Sequence, residues 1–166
     1  MRSSIFIAVP VMILLAIGQT AVLPRLPLFG VAPQLSFLVA LAWGLLNGRK
    51  GGMIWAFTAG VFMDIFSISP MGLTALVYLA AVTAVLLVQE AFPTSRVIMP
   101  LLLTALATVI EMILYLLALR LLGVITSFQT LTSLPTLIIV NTIAMLPVYW
   151  IMYSLQRTIR PRRIHL

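Results

Sequence analysis

Long apolar runs dominate this chain and restrict what it can fold into. Of its 166 residues, 63% are hydrophobic and 8% are charged, and the mean hydropathy is +1.21. Soluble domains are about half apolar and about a quarter charged, so this chain has too little polar surface to face water. We therefore predict an integral membrane protein. The length allows about six spans of roughly 20 residues with short loops, and no soluble domain.

The apolar runs predict an all-α membrane protein with six transmembrane helices in a single domain over residues 1–166. The first run exceeds the roughly 7 to 15 residues of a signal-peptide core, so we interpret it as a retained helix. The second and third runs are short enough for a re-entrant hairpin. That hairpin would bury Arg49 and Lys50 at a cost of at least about 2.5 kcal/mol each, so two short spans are favoured. The predicted helices cover residues 5–23, 33–47, 52–67, 73–89, 97–122 and 134–155, and a basic tail follows over 156–166.

The basic residues predict the orientation of these helices. Six spans place both termini on one side of the membrane, and eight of the ten Lys and Arg residues then fall on that side. Only Arg25 and Arg120 fall near the other side. Such an excess indicates that both termini are cytoplasmic. Orientation accounts for the net charge of +7, so we expect no nucleic-acid partner. The eight residues are Arg2, Arg49, Lys50, Arg96, Arg157, Arg160, Arg162 and Arg163.

Small residues recur at every fourth position from Gly48 to Gly60 and lead to Asp64, one of three acidic residues in the chain. Residues four apart on a helix lie above one another, so this series predicts a groove that a neighbouring helix can approach closely. For Asp64 we keep two alternatives: its carboxylate accepts backbone N–H groups of the following turn, or it pairs with Arg25 or Arg120. The predicted packing residues are Gly52, Ala56, Gly60, Asp64, Ser67 and Gly72.

A second set of polar residues lies within the predicted membrane region. Thr108 and Glu111 share one face of the fifth helix, and Asn141 of the sixth falls at a similar depth. We predict an intramembrane polar seam between these helices. It either holds the two helices together by hydrogen bonds or binds a solute or proton.

The remaining chemistry of the sequence is sparse. The four arginines Arg157, Arg160, Arg162 and Arg163 either fix the orientation or bind anionic lipid. There is no cysteine, and there is no P-loop, zinc-ligand spacing or Ser/His/Asp set. We therefore expect no catalytic residues, no cofactor and no metal.

The central pattern resembles the MreD family of bacterial rod-shape-determining membrane proteins. The resemblance is carried by a Gly-rich turn, a Gly-x3-Asp-x2-Ser-x4-Gly motif and the basic tail. Gln34 and Ala56 depart from the pattern, where the family more often has Asn or Asp and Gly. The matching residues are Pro33, Leu35, Gly60, Asp64, Ser67, Gly72, Asn141 and Pro147.

The resemblance implies a non-enzymatic scaffold in the bacterial inner membrane, within the elongation complex (elongasome) that builds side-wall peptidoglycan. It implies MreC as the main partner, with MreB, RodA and its transpeptidase in the larger complex, and membrane lipids around the helices. In the outer loops, Phe29 and Phe128 are our candidates for MreC contacts.

The family's fold is similar to the six-helix substrate-binding subunits of energy-coupling-factor vitamin transporters. The alternative function is therefore a membrane solute-binding subunit, with Glu111 and Asn141 lining a pocket.

Overall fold

A computed structural model describes residues 2–22, 31–67, 70–91, 98–123 and 132–159 of the chain. The fold is all-helical, and the described residues form six α-helices. The first helix continues as a π-helix over Gly18–Val22. The α-helices are α1 (Arg2–Ile17), α2 (Leu35–Asn47), α3 (Arg49–Phe66), α4 (Leu73–Ala91), α5 (Ile98–Leu121) and α6 (Leu134–Ile159).

Three of these helices are long and apolar enough to cross a membrane: Leu73–Ala91, Ile98–Leu121 and Leu134–Thr158. Helix α2 has 13 residues and reaches about 20 Å, short of the roughly 30 Å of a bilayer core. Helix α3 has 18 residues but includes Arg49, Lys50 and Asp64. The predicted all-α fold is thus confirmed, whereas the count of six spans stays a prediction.

The helix boundaries differ from those expected by a few residues, and two of these differences change how residues are assigned. The segment 47–52 was expected to be a turn, but Gly48 alone separates α2 from α3, with φ at 81°. Glycine adopts this left-handed conformation at little cost, so one residue suffices to redirect the chain. At the other end, α6 extends to Ile159, and Arg157 therefore belongs to this helix and not to the tail.

Helix α2 forms the centre of the core. All nine residues from Ser36 to Gly44 are buried, and α2 contacts each of the other five helices. A helix has about 3.6 residues per turn, so nine consecutive buried positions mean that it is enclosed on every side. The aromatic rings of Trp43 and Trp55 stack in this core with centroids 4.4 Å apart.

The small residues of α3 allow close contact with two neighbours. A Cβ atom on Gly60 would lie 2.3 Å from the Cα and 2.6 Å from the N of Ala75 in α4. A Cβ on Gly52 would lie 2.6 Å from a methyl carbon of Leu86 and 2.8 Å from the Cα of Gly44 in α2. Ala56 is buried between these two glycines. The series therefore lets α3 meet the backbones of both α2 and α4.

Two residues expected to pack in this groove have a different place. Gly72 has φ at 91°, and a Cβ there would meet nothing within 4 Å. It is a turn residue that needs the left-handed conformation, not a packing residue. Ser67 directly follows α3 in extended conformation and ends that helix.

We predict that Gly60→Ala destabilises the protein strongly, because the added methyl group meets backbone atoms of α4 that cannot rotate away. Overpacking of a well-packed core costs about 1 to 3 kcal/mol. Gly18→Ala is the matched control, since a Cβ at Gly18 would meet nothing within 4 Å. Thermal unfolding in detergent compares the two variants. Equal unfolding temperatures for Gly60→Ala and the wild type would contradict the close contact.

Candidate functional site

Asp64 caps the start of α4. Its Oδ2 accepts the N–H groups of Gly72 at 3.0 Å and Ala75 at 3.1 Å, and its Oδ1 accepts that of Thr74 at 3.0 Å. The first N–H groups of a helix have no partner within the helix and carry a partial positive charge. A buried carboxylate from α3 satisfies three donors at once.

These contacts are those expected under the first of the two alternatives for Asp64. The carboxylate accepts hydrogen bonds from a backbone N–H group of the turn and also from N–H groups of the first residues of α4. Within the described ranges, Arg49 and Glu90 form an ion pair at 3.8 Å. Arg120 is described and does not pair with Asp64. Arg25 lies outside the described residues.

A second cluster lies at the start of α2, and we call Gln34, Thr108, Glu111 and Asn141 the polar network. Gln34 donates its N–H to Oδ1 of Asn141 at 3.0 Å, and Nδ2 of Asn141 donates to Oε1 of Gln34 at 3.0 Å. The same Nδ2 is 3.3 Å from Oγ1 of Thr108. Nε2 of Gln34 donates to Oε2 of Glu111 at 3.3 Å. The network thus joins α5 and α6 to the start of α2.

The structure brings the three predicted seam residues together but connects them differently. Glu111 was expected to be the partner of Asn141, whereas Gln34 donates a hydrogen bond to Glu111 and accepts one from Asn141. Sequence reasoning missed this role of Gln34. The available signal was its position: a residue directly before a largely apolar helix, whose own backbone N–H has no partner within the helix and needs an acceptor.

Three further glutamines bind the terminal backbone groups of α2. Oε1 of Gln19 accepts the N–H of Ser36 at 3.0 Å. At the other end, Nε2 of Gln89 donates to the carbonyl of Leu45 at 3.3 Å, and Gln156 donates to that of Leu46 at 3.1 Å. We call Gln19, Gln89 and Gln156 the glutamine ties. They come from α4, α6 and the π-helix, so three separate segments hold the two ends of α2.

This arrangement can fix helices but leaves little polar capacity for a ligand. Both polar atoms of the Asn141 side chain and both of the Gln34 side chain are used within the network. In the part of the chain that the structure describes, no group of three or more His, Cys, Asp or Glu residues could hold a metal ion.

Several predicted contact residues lie outside the described residues: Phe29, Phe128, Arg160, Arg162 and Arg163. Arg157 is described and exposed, and its guanidinium carbon lies 5.7 Å from the ring centroid of Tyr153.

The model of one protein family, described as rod shape-determining protein MreD, matches residues 1–159. The chain belongs to the MreD family. Searches of curated proteins and of solved structures each found no match. Membership of the MreD family and the apolar helices together make this an integral membrane protein of the rod-shape-determining class.

For an MreD-family protein, shape is a direct assay of the polar network. We predict that cells depending on Glu111→Gln grow as rods, because the Gln oxygen still accepts the amide of Gln34. Glu111→Leu leaves that amide without an acceptor and should impair rod growth partially, since such bonds average about 0.6 kcal/mol in membranes. Ile113→Leu, at an exposed position on α5, is the control. If Glu111→Gln alone rounds the cells while folding normally, the carboxylate itself is needed and a solute or proton site is favoured.

Proposed function

We propose that this protein is a non-enzymatic scaffold of the bacterial elongation complex, in the inner membrane, where it binds MreC and supports side-wall peptidoglycan synthesis. The observation that carries the proposal is the internal use of the polar groups. Gln34, Asn141 and Asp64 bind other parts of the same chain, which stabilises the helices relative to one another. Membrane helices held in fixed relative positions can present a constant surface to a partner protein.

The alternative, a vitamin-type solute-binding subunit, requires a pocket into which several polar groups converge. Glu111 and Asn141 were its candidate lining residues. The amide oxygen of Asn141 accepts the N–H of Gln34, and its amide nitrogen donates to Gln34 and Thr108. Glu111 accepts a hydrogen bond from Gln34. Their engagement favours the scaffold. A fold like that of the vitamin-binding subunits remains part of our proposal on the basis of family resemblance alone.

A scaffold built of membrane helices must hold its partner through apolar helix faces or short connections. The outer helices carry many exposed apolar side chains, among them Leu102 and Leu117 of α5 and Ile139 and Ile143 of α6. In a bilayer such faces meet lipid or another membrane helix, so they do not by themselves select MreC. Selectivity is expected from the connections outside the membrane, where Phe29 and Phe128 are the proposed anchors. MreB, RodA and its transpeptidase would join through the same assembly.

The proposed topology has six spans with both termini in the cytoplasm. We predict that a fluorescent protein fused to the C-terminus is fluorescent, since it folds in the cytoplasm, and that alkaline phosphatase inserted within 124–131 is active. The physical reason is the excess of Lys and Arg on the side of the termini. Insertion within 92–97 is the internal control and should leave the phosphatase inactive. An active phosphatase at the C-terminus would contradict the six-span arrangement.

The scaffold proposal is tested by co-purification of MreC in detergent. We predict that exchange of both Phe29 and Phe128 for Ser weakens recovery of MreC while the unfolding temperature changes little, because interfaces concentrate their energy in a few apolar anchors. Met71→Ser is a matched control, since Met71 is an exposed apolar residue between α3 and α4. Full recovery of MreC with the double variant would move the contact to the membrane helices. No recovery of MreC with the wild type would refute the scaffold proposal.

A further inference from the structure

We propose that the C-terminal end of α6 is a binding site for the headgroup of an anionic phospholipid, formed by Trp150, Tyr153 and Arg157. We call these three residues the headgroup site. The proposal needs only the membrane location of α6, so it is independent of any binding to MreC.

The three side chains lie on one face of α6, because they are separated by three and then four residues. Trp150 is 72% exposed and Tyr153 is 41% exposed, so both rings are open to the surroundings of the helix. The guanidinium carbon of Arg157 lies 5.7 Å from the centroid of the Tyr153 ring, within the range of a cation–π contact. Side chains on a helix lean toward its N-terminus, so Arg157 reaches back over the ring.

This order of residues matches the layers of a membrane surface. Tyr and Trp favour the boundary between acyl chains and headgroups, where their rings are apolar and their N–H or O–H groups are hydrated. Arg157 lies seven residues after Trp150, which is about 10 Å along the helix and places it toward the phosphate layer. A guanidinium group is planar and can donate two parallel hydrogen bonds to one phosphate.

The acidic side chains of the described residues leave Arg157 without a counter-ion. Asp64 and Glu111 bind other groups near the starts of α4 and α2, and Glu90 pairs with Arg49. Among the described residues, no carboxylate lies within ion-pair distance of Arg157. An anionic headgroup supplies the missing charge, whereas a zwitterionic headgroup carries its own ammonium. The site therefore favours an anionic lipid such as phosphatidylglycerol over phosphatidylcholine.

The tryptophans make this site directly measurable. The chain contains three, and Trp43 and Trp55 are 4% and 0% exposed, so quenching by brominated lipid reports Trp150. The full chain is reconstituted in phosphatidylcholine bilayers containing brominated phosphatidylglycerol or brominated phosphatidylcholine at equal fractions. We expect stronger quenching by the anionic lipid. Loss of the quenchable signal in Trp150→Phe verifies its source.

Single substitutions distinguish binding at this site from a general attraction between the basic protein and anionic lipid. Arg157→Gln should reduce the preference for the anionic lipid about fivefold, the effect of one arginine at a membrane surface. Tyr153→Leu should reduce it in part, because the apolar volume stays but the ring under the guanidinium is lost. Arg120→Gln, at the end of α5, is the control and should leave the preference unchanged. All of these side chains are exposed, and equal unfolding temperatures verify that the variants fold.

Two results would overturn the proposal. The first is equal quenching of the wild type by the two brominated lipids. The second is a preference that survives Arg157→Gln but disappears when Arg160, Arg162 and Arg163 are all changed to Gln, because the attraction would then come from the sequence after the helix.

Discussion

The backbone polar groups at the two ends of helix α2 set the main constraint on this fold. The helix has 13 residues, its middle is enclosed on all sides and its ends are partly buried, so its terminal N–H and C=O groups have limited access to water. Leaving such a group unpaired in an apolar surrounding costs roughly 2 to 7 kcal/mol. Side-chain amides of the surrounding segments satisfy these groups, and each such bond fixes a neighbour relative to α2. These bonds fix α4, α6 and the π-helix around α2.

At the start of α4, unpaired backbone N–H groups are likewise satisfied by a side chain, in this case a charged one. Asp64 accepts three N–H groups there, and Gly60, one turn earlier on α3, lets the two backbones come close enough for those bonds. A larger residue at Gly60 would push the carboxylate away from its donors. The close packing at the small-residue series and the capping of α4 by Asp64 therefore depend on each other. This coupling gives a physical reason for a glycine and an aspartate four residues apart in this chain.

Much of the architecture follows from the sequence. Apolar runs bounded by Pro, Gly and charged residues predicted helices at nearly the observed positions, because helix formation in an apolar surrounding depends on local backbone hydrogen bonds. The spacing of Gly52, Ala56 and Gly60 predicted close packing, since residues four apart always share a face. The polar seam of Thr108, Glu111 and Asn141 could be predicted from the similar depth of these residues in their predicted membrane spans. The family resemblance lay in the same local patterns.

Other features were decided only by tertiary structure. The central place of α2 could not be read from its own sequence, because a short apolar helix fits an interior position or a membrane span equally well. Gln34 and the glutamine ties depend on which helix ends meet, and their partners lie between 17 and 110 residues away in the chain. The extension of α6 through Arg157, which places its guanidinium over Tyr153, was likewise hidden in a basic tail. The sequence by itself determined the helices, the close-packing groove and the membrane, since these depend on local spacing and composition. The pairing of polar groups required the packed structure, because a hydrogen bond depends on distances between residues far apart in sequence.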